Sequence, residues 1–469
     1  GNQTYGEITT LGANTTLTGG TIEFDAALNG AQALTVTGNA VFDAAVGDSQ
    51  ALNSLTISGA TAINGGSVRT SGNQTYTGGA NLGANTTLTG GTIEFDATLN
   101  GAQALTVTGN AVFDAAVGDS QALTNLTVSG ATAINGGSVR TVGKQTYTGA
   151  ASLGASTTLT GTTIVFDSTL NGAQALTVTG DAVLGGAVGT FQALDSLTVS
   201  GTSAINGGAV STSGNQTYTG TVTLGADATL RQTGLLANAI TLGAYDLTVD
   251  ESGAGVVTGA ITGEITGTGG FTKAGAGTLT LSGANTYSGG TTVLAGMLKQ
   301  SVAPVGVLGA VPSSSAVGAG QVTISTGGAL DLAGFDLLNT LTLSGSGVSG
   351  SGAVYNSTAT AVTLSGAMTV GADATIKNTL SDLSITGAVD GLTLGAQALT
   401  VVVGGDFVQG APVGSSVTVS DYTVTADDIR LASAVRASAR LRRSASGAVT
   451  QTAPIQTDAL AFFSPATFA

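Results

Sequence analysis

The chain has 469 residues, of which 74 are Gly and 42% are apolar, while charged residues make up 8% and Cys, His and Trp are absent. High apolar content with so little charge excludes a disordered chain, because disorder needs the reverse balance. A net charge of −15 with no basic face excludes a nucleic-acid partner.

From the first residue the sequence repeats. Gly-Asn-Gln-Thr-Tyr opens at Gly1 and Gly72, Gly143 opens GKQTY and Gly214 opens GNQTY, at a spacing of 71 residues. Residues 12–70 and 83–141 differ at four positions, Ala27/Thr98, Asn53/Thr124, Ser54/Asn125 and Ile57/Val128. Inside each copy a shorter sentence recurs as LTVTG at 34–38, LTISG at 55–59, QTYTG at 74–78 and TTLTG at 86–90. In each, Leu34 and Val36 or their counterparts alternate with Thr, the period of a half-buried strand. Turn chemistry separates them: Asn29-Gly30, Gly38-Asn39, Gly47-Asp48 and Asn64-Gly65-Gly66.

Strands that return in phase after one coil predict an all-β, right-handed parallel β-helix, a β-solenoid. Three or four coils per 71-residue copy would give roughly 20 to 26 coils and, at ~4.8 Å per stacked strand, a rod ~95–125 Å long. Residues 71 apart are then expected to form ladders: Phe24, Phe95 and Phe166; Ile63, Ile134 and Ile205; Val36, Val107 and Val178. Charges avoid the strand cores, and Pro, which removes a ladder donor, is absent before Pro304.

Residues 1–220 are thus the regular array, and residues 221–300 are diverged coils. Residues 301–320, with two of the five Pro, read as a protruding loop, and 321–424 as further coils. In the tail, 425–469, Thr425 to Asp428 resembles a capping box and IRLASAVRASARLRRS is helix-compatible, which predicts a partly helical cap. Arg430, Arg436, Arg440, Arg442 and Arg443 lie there, a basic group that could also serve docking or export.

Candidate chemistry is sparse. Gly47-Asp48-Ser49 and Gly118-Asp119-Ser120 match the surroundings of a serine nucleophile, but no His is present to act as base, and copy three has Gly189-Thr190-Phe191 instead. Glu23, Asp25, Asp43 and Asp48 recur as Glu94, Asp96, Asp114 and Asp119. Paired carboxylates serve polysaccharide hydrolysis, yet a lattice of near-identical copies without Trp platforms reads as solvated turn acids. No calcium-coil motif is present, and weak calcium binding at an Asp column such as Asp25 and Asp96 is the remaining metal reading. Outward Thr-x-Thr ranks, as in Thr35 and Thr37, could order ice, but turns of varying length should break them. Asn14, Asn73, Asn85, Asn125 and Asn356 begin Asn-x-Ser/Thr sequons, which chance alone supplies in so Asn- and Thr-rich a chain. No catalytic residue, cofactor site or metal site is assigned.

Residues 275–299, GAGTLTLSGANTYSGGTTVLAGMLK, resemble the autotransporter-associated β-strand repeat of bacterial type V secretion passengers. Gly277, Leu279, Leu281, Gly283, Asn285, Thr286, Tyr287, Gly289, Thr291, Val293, Gly296 and Leu298 fall on its recurring positions. The resemblance, shared in style with filamentous-haemagglutinin-like adhesins, implies a right-handed β-helix displayed at or shed from a Gram-negative surface.

It also implies an outer-membrane transporter as partner during export, either by the autotransporter or by the two-partner route. Cys-free composition suits a chain that is threaded unfolded through an oxidising compartment. No segment approaches the ~18 apolar residues of a membrane helix. No signal peptide or C-terminal barrel pattern is visible, so the chain reads as a fragment or processed product. The expected function is a secreted, structural and adhesive surface rod serving attachment, aggregation or biofilm, with a host-cell, polysaccharide or self-association partner. The alternatives are a polysaccharide-active β-helix enzyme and an ice-binding or lattice-forming module.

Overall fold

The structure, a computed structural model, describes residues 1–252, 257–307 and 310–463. The parts of the expected diverged coils, protruding loop and C-terminal tail at 253–256, 308–309 and 464–469 lie outside the described residues. The chain divides into two compact units, Gly1–Gly220 and Thr221–Ala469. Each is a β-solenoid of parallel stacked strands, and together they contain about 23 turns. Among the described residues the one helical element is a 3-10 turn at Val348–Gly350.

In the first unit a turn contains three short strand segments, such as Ser54–Ile57, Thr61–Ile63 and Ser67–Arg69, before the next turn begins at Gln74–Tyr76. Stacking is in register: Leu34 pairs Leu55, and Leu55 pairs Gln74. Alternate residues point inward, so Leu34, Val36, Leu55 and Ile57 are fully buried while the Thr between them face out. Aromatic rings pile along the axis. Tyr5 stacks on Phe24 at 4.9 Å and Phe24 on Phe42 at 5.7 Å. Tyr76, Phe95 and Phe113 repeat this at 5.0 and 5.8 Å. Each such pair adds ~0.5–1.5 kcal/mol beyond its area burial.

The buried Tyr hydroxyls need partners, and Gln two residues earlier supplies one. Tyr76, Tyr147 and Tyr218 donate to Gln74, Gln145 and Gln216 at 2.8 to 2.9 Å. Gln74 Nε2 in turn donates to the carbonyls of Val68 and Thr89. The interior polar groups of the GNQTY phrase are therefore satisfied within the core.

The register overturns the expected ladders. Tyr5, Phe24, Phe42, Ile63 and Leu82 lie along one face. Leu17, Val36, Ile57, Tyr76 and Phe95 lie along a second. Leu88, Val107, Val128, Tyr147 and Phe166 lie along a third. Phe24, Phe95 and Phe166 therefore occupy three different faces, as do Val36, Val107 and Val178. The first face continues from Ala80 through Leu99, Val117, Val139, Leu159, Val178 and Val199 to Tyr218. Tyr5 and Tyr218 are thus eleven turns apart on one face and 213 residues apart in sequence, the length of three copies. Each 71-residue copy advances three and two-thirds turns, which moves the next copy to the next face. The physical reason is that a turn takes 18 to 22 residues in three segments, and this does not divide the repeat.

The second unit keeps the parallel register with less regular loops: Leu279 pairs Leu298, and Leu298 pairs Leu330. One of its faces is a five-stranded sheet of Val362–Leu364, Leu383–Ile385, Phe407–Gln409, Ile429–Leu431 and Val449–Gln451. The expected partly helical tail is instead strand. Ile429–Leu431, Val435–Ala445, Val449–Gln451 and Ile455–Phe463 are all parallel rungs. Val435, Ala437, Leu441, Arg443 and Ala445 point inward at alternating positions, and stacking on Val419–Ala426 overrides the helix propensity of Ala, Arg and Leu. Thr425 to Asp428 cap no helix: they end strand Val419–Ala426 and lead into Ile429–Leu431, and Asp428 Oδ1 accepts from Ala448 N at 2.6 Å.

Two further expectations fail. Charges do enter the strand cores, since Glu251, Lys273, Asp331 and Arg443 are all buried. The Thr ranks are not broken by turns of varying length either. Thr16, Thr35, Thr56 and Thr75 stay in register over four rungs because extra residues are absorbed in the corners.

Candidate functional site

The motif at 275–299 is a packing device that anchors an excursion. Leu279 and Leu281 in strand Thr278–Leu281, Val293 in Thr291–Val293 and Leu298 in Gly296–Gln300 are fully buried. Gly283 and Gly289 sit where backbone passes close: a Cβ on Gly283 would lie 2.2 Å from Gly263 O. Gly296 has φ +69°, which favours Gly. The polar motif residues then reach across turns. Asn285 Oδ1 accepts from Ile265 N at 2.7 Å while its Nδ2 donates to Ala316 O at 2.6 Å. Tyr287 meets Thr291 Oγ1, and that hydroxyl donates to Val317 O at 2.8 Å. Thr286 donates to Glu264 at 2.9 Å.

Between strands Gly296–Gln300 and Val322–Ile324 the described residues include a buried stretch at Ser315–Val317. Antiparallel bridges Val305 to Ser314 and Asn285 to Ser315 fold the excursion back on itself and pin it. Val305, Val307 and Val311 are exposed on it.

The Gly-Asp-Ser tripeptides are turns. Asn29 Oδ1 accepts from the backbone N–H of Ser49 at 3.0 Å and of Gln50 at 3.3 Å. Asn100 does the same for Ser120 and Gln121. In copy three Asn171 keeps the bond to the N–H of Phe191, whose side chain is 94% exposed. The turn is held by the Asn one rung earlier and does not need Ser.

That Asn belongs to a pattern the sequence reading missed. At corners, an Asn or Asp side chain accepts the N–H of the next turn, which has no strand partner. Asn39 accepts from Ala60, Asn110 from Ala131 and Asp181 from Thr202, at 2.8 to 2.9 Å. The sequon residues Asn14, Asn73, Asn85 and Asn125 cap Ala33, Thr92, Ala104 and Lys144 in the same way. The recurrence of Asn or Asp at matching positions of successive copies was the available signal.

The acidic residues are brought together differently from the expected column. Glu23, Asp25 and Asp43 each offer a carboxylate oxygen within 4.8 Å of the others, as do Glu94, Asp96 and Asp114. Asp25 and Asp96 are not in one column, because their copies face different ways. Asp43 accepts from Asn64 Nδ2 at 2.7 Å and Asp114 from Asn135 Nδ2 at 2.6 Å. Copy three has Val165, Asp167 and Gly185 at these places, so the triad is lost. The carboxylates are exposed or half-buried on the outer strand surface.

Of the C-terminal Arg residues, Arg436, Arg440 and Arg442 are exposed on strand Val435–Ala445 and Arg443 is turned inward. Arg443 is buried and donates to Gln451 Oε1 at 3.2 Å, and Arg440 lies 3.9 Å from Asp421. Burial pushes the Arg443 guanidinium down to about 10.

Residues 271–299 match the family model of the passenger-associated-transport-repeat. Over 100 residues the chain is 38% identical to the adhesin BmaC autotransporter of Brucella suis biovar 1 (strain 1330), a match covering 21% of this chain. The match spans about 3% of the length of that relative. No solved structure matches it.

Proposed function

We propose that this chain, a stretch of type V secretion passenger carrying autotransporter repeats, acts at the bacterial surface as an adhesive spacer. Its export partner would be an outer-membrane translocator. The observation that carries the reading is the rotation of the copies. Two near-identical surfaces and a diverged third face three directions, each about three and two-thirds turns further on, or ~18 Å along the axis. A partner met from any of the three sides encounters a Thr rank, and several weak contacts add by avidity. Adhesion in the named relative supports the same direction.

The alternatives fare worse. An ice plane or other flat lattice touches one face at a time, so the hydroxyl ranks Thr16 to Thr75, Thr87 to Thr146 and Thr158 to Thr217 cannot add on it. A polysaccharide-active enzyme needs a singular acid-lined groove, whereas the acid triads are duplicated on outer strand surfaces.

The test is to display the chain on a non-adherent bacterium through a translocating barrel, with one, two or three of the 71-residue copies. Attachment to cells or polysaccharide-coated surfaces, or cell–cell clumping, should increase with copy number. Display without attachment or clumping at any copy number contradicts the reading.

A further inference from the structure

We infer that Glu251 and Lys273 form a proton-operated clasp between consecutive turns of the Thr221–Ala469 unit, so that this unit is more stable in mild acid than at neutral pH. Glu251 ends strand Leu247–Glu251 and Lys273 lies in Phe271–Ala274, the next rung, where Val249 pairs Lys273. Both side chains are 0% exposed, with Nζ 3.6 Å from Oε2.

The two groups are unequally provided for. Lys273 Nζ donates to the carbonyls of Ala274 at 2.6 Å and Gly275 at 2.9 Å, so its position is fixed without Glu251. Among the described residues neither oxygen of Glu251 has a partner at full hydrogen-bonding distance, and the groups that face it are Lys273 and the Leu235 N–H. Beneath it in register lies Gln232, also buried. Space for the carboxyl is kept by glycines. A Cβ on Gly259 would sit 2.0 Å from Oε1, and one on Gly277 would sit 3.0 Å from the Glu251 Cβ. The other charged pair in reach is Asp250 with Arg231, at 3.1 Å. Among the described residues the segments packed from the other side present Leu235, Val257, Gly259 and Gly277, none of them ionisable.

An ionised carboxylate so placed is poorly compensated, and a protonated one costs far less to bury. Burial pushes Glu251 up to about 7, against the opposing pull of Lys273. A carboxyl whose folded value lies above its unfolded one contributes stability in full below about 4.5, and that stability is lost as pH rises through about 7. Burial pushes Lys273 down, and it works in the opposite sense toward the alkaline side. The chain has no His and no Cys, so no other side-chain type ordinarily titrates between these limits.

The experiment is calorimetry of the full chain from pH 5 to 8, with hydrogen exchange of peptides covering 247–251 and 271–281 to identify the transition. The melting midpoint of the Thr221–Ala469 unit should fall between pH 5 and 7 in the parent, and exchange in both peptides should rise beyond its intrinsic pH dependence. Glu251→Gln should abolish the fall. A flat parent curve overturns the inference with no variant needed, as does an unchanged slope in Glu251→Gln. Should that variant not fold, Lys273→Met serves: removing the cation must move the fall to higher pH, and an unmoved fall overturns the inference.

Discussion

Phe95 stacks on Phe113, the next rung of its own face, at 5.8 Å, while Phe24, its counterpart in the preceding copy, lies on another face. Sequence identity and spatial stacking are therefore decoupled, and what stabilises a turn is the neighbouring phrase within one copy.

Phe95→Ala should cost ~3–5 kcal/mol in chemical denaturation of the first unit. In double-mutant cycles Phe95→Ala and Phe113→Ala should couple by ~0.5–1.5 kcal/mol. Phe24→Ala and Phe95→Ala should add without coupling. Phe113→Leu should be mild, because copy three already has Leu184 there.

Gln145→Leu removes the acceptor of the buried Tyr147 hydroxyl and the donor to the Val139 and Thr160 carbonyls. Leaving those groups unpaired should cost ~1–3 kcal/mol or more. Adding Tyr147→Phe should recover part of the loss, which a thermal melt of single and double variants measures.

Asn110→Ala should cost ~0.5–1.5 kcal/mol by orphaning the Ala131 N–H. Asn110→Asp should be nearly neutral, since Asp181 caps Thr202 at the matching corner of copy three. Faster exchange of the Ala131 amide in the Ala variant alone is the local readout.

Ser49→Ala and Ser120→Ala should leave stability unchanged. Asn29→Ala should open the 47–50 turn, because Asn29 accepts both the Ser49 and Gln50 N–H groups. Proteolytic nicking at this turn in the Asn29 variant, and not in the Ser variants, is the expected pattern.

The parallel stack was legible because period-two phrases recur and turn residues fall between them. The family motif was legible because its Gly, Asn and Tyr sit at fixed spacings. The fractional turn count was not legible: a repeat length says nothing about turn length, and identical phrases look like ladders until register is known. The tail misled because VRASARLRR alternates small and charged residues that suit helix or strand equally, and only stacking on Val419–Ala426 decides. The buried Glu251 was not legible, since the room for its carboxyl depends on Gly259 and Gly277 standing opposite.

The rotation of the copies is tested most directly by distances between spin labels at Thr37, Thr108 and Thr179, three exposed equivalents in a chain with no native Cys. Were they on one face, the distance from 37 to 179 would be twice that from 37 to 108. On three faces the lateral displacement is the same for both pairs while only the axial part doubles. The predicted result is a long distance clearly less than twice the short one, with the 37–108 and 108–179 distances equal. A twofold ratio would place the copies on one face and contradict the rotated array.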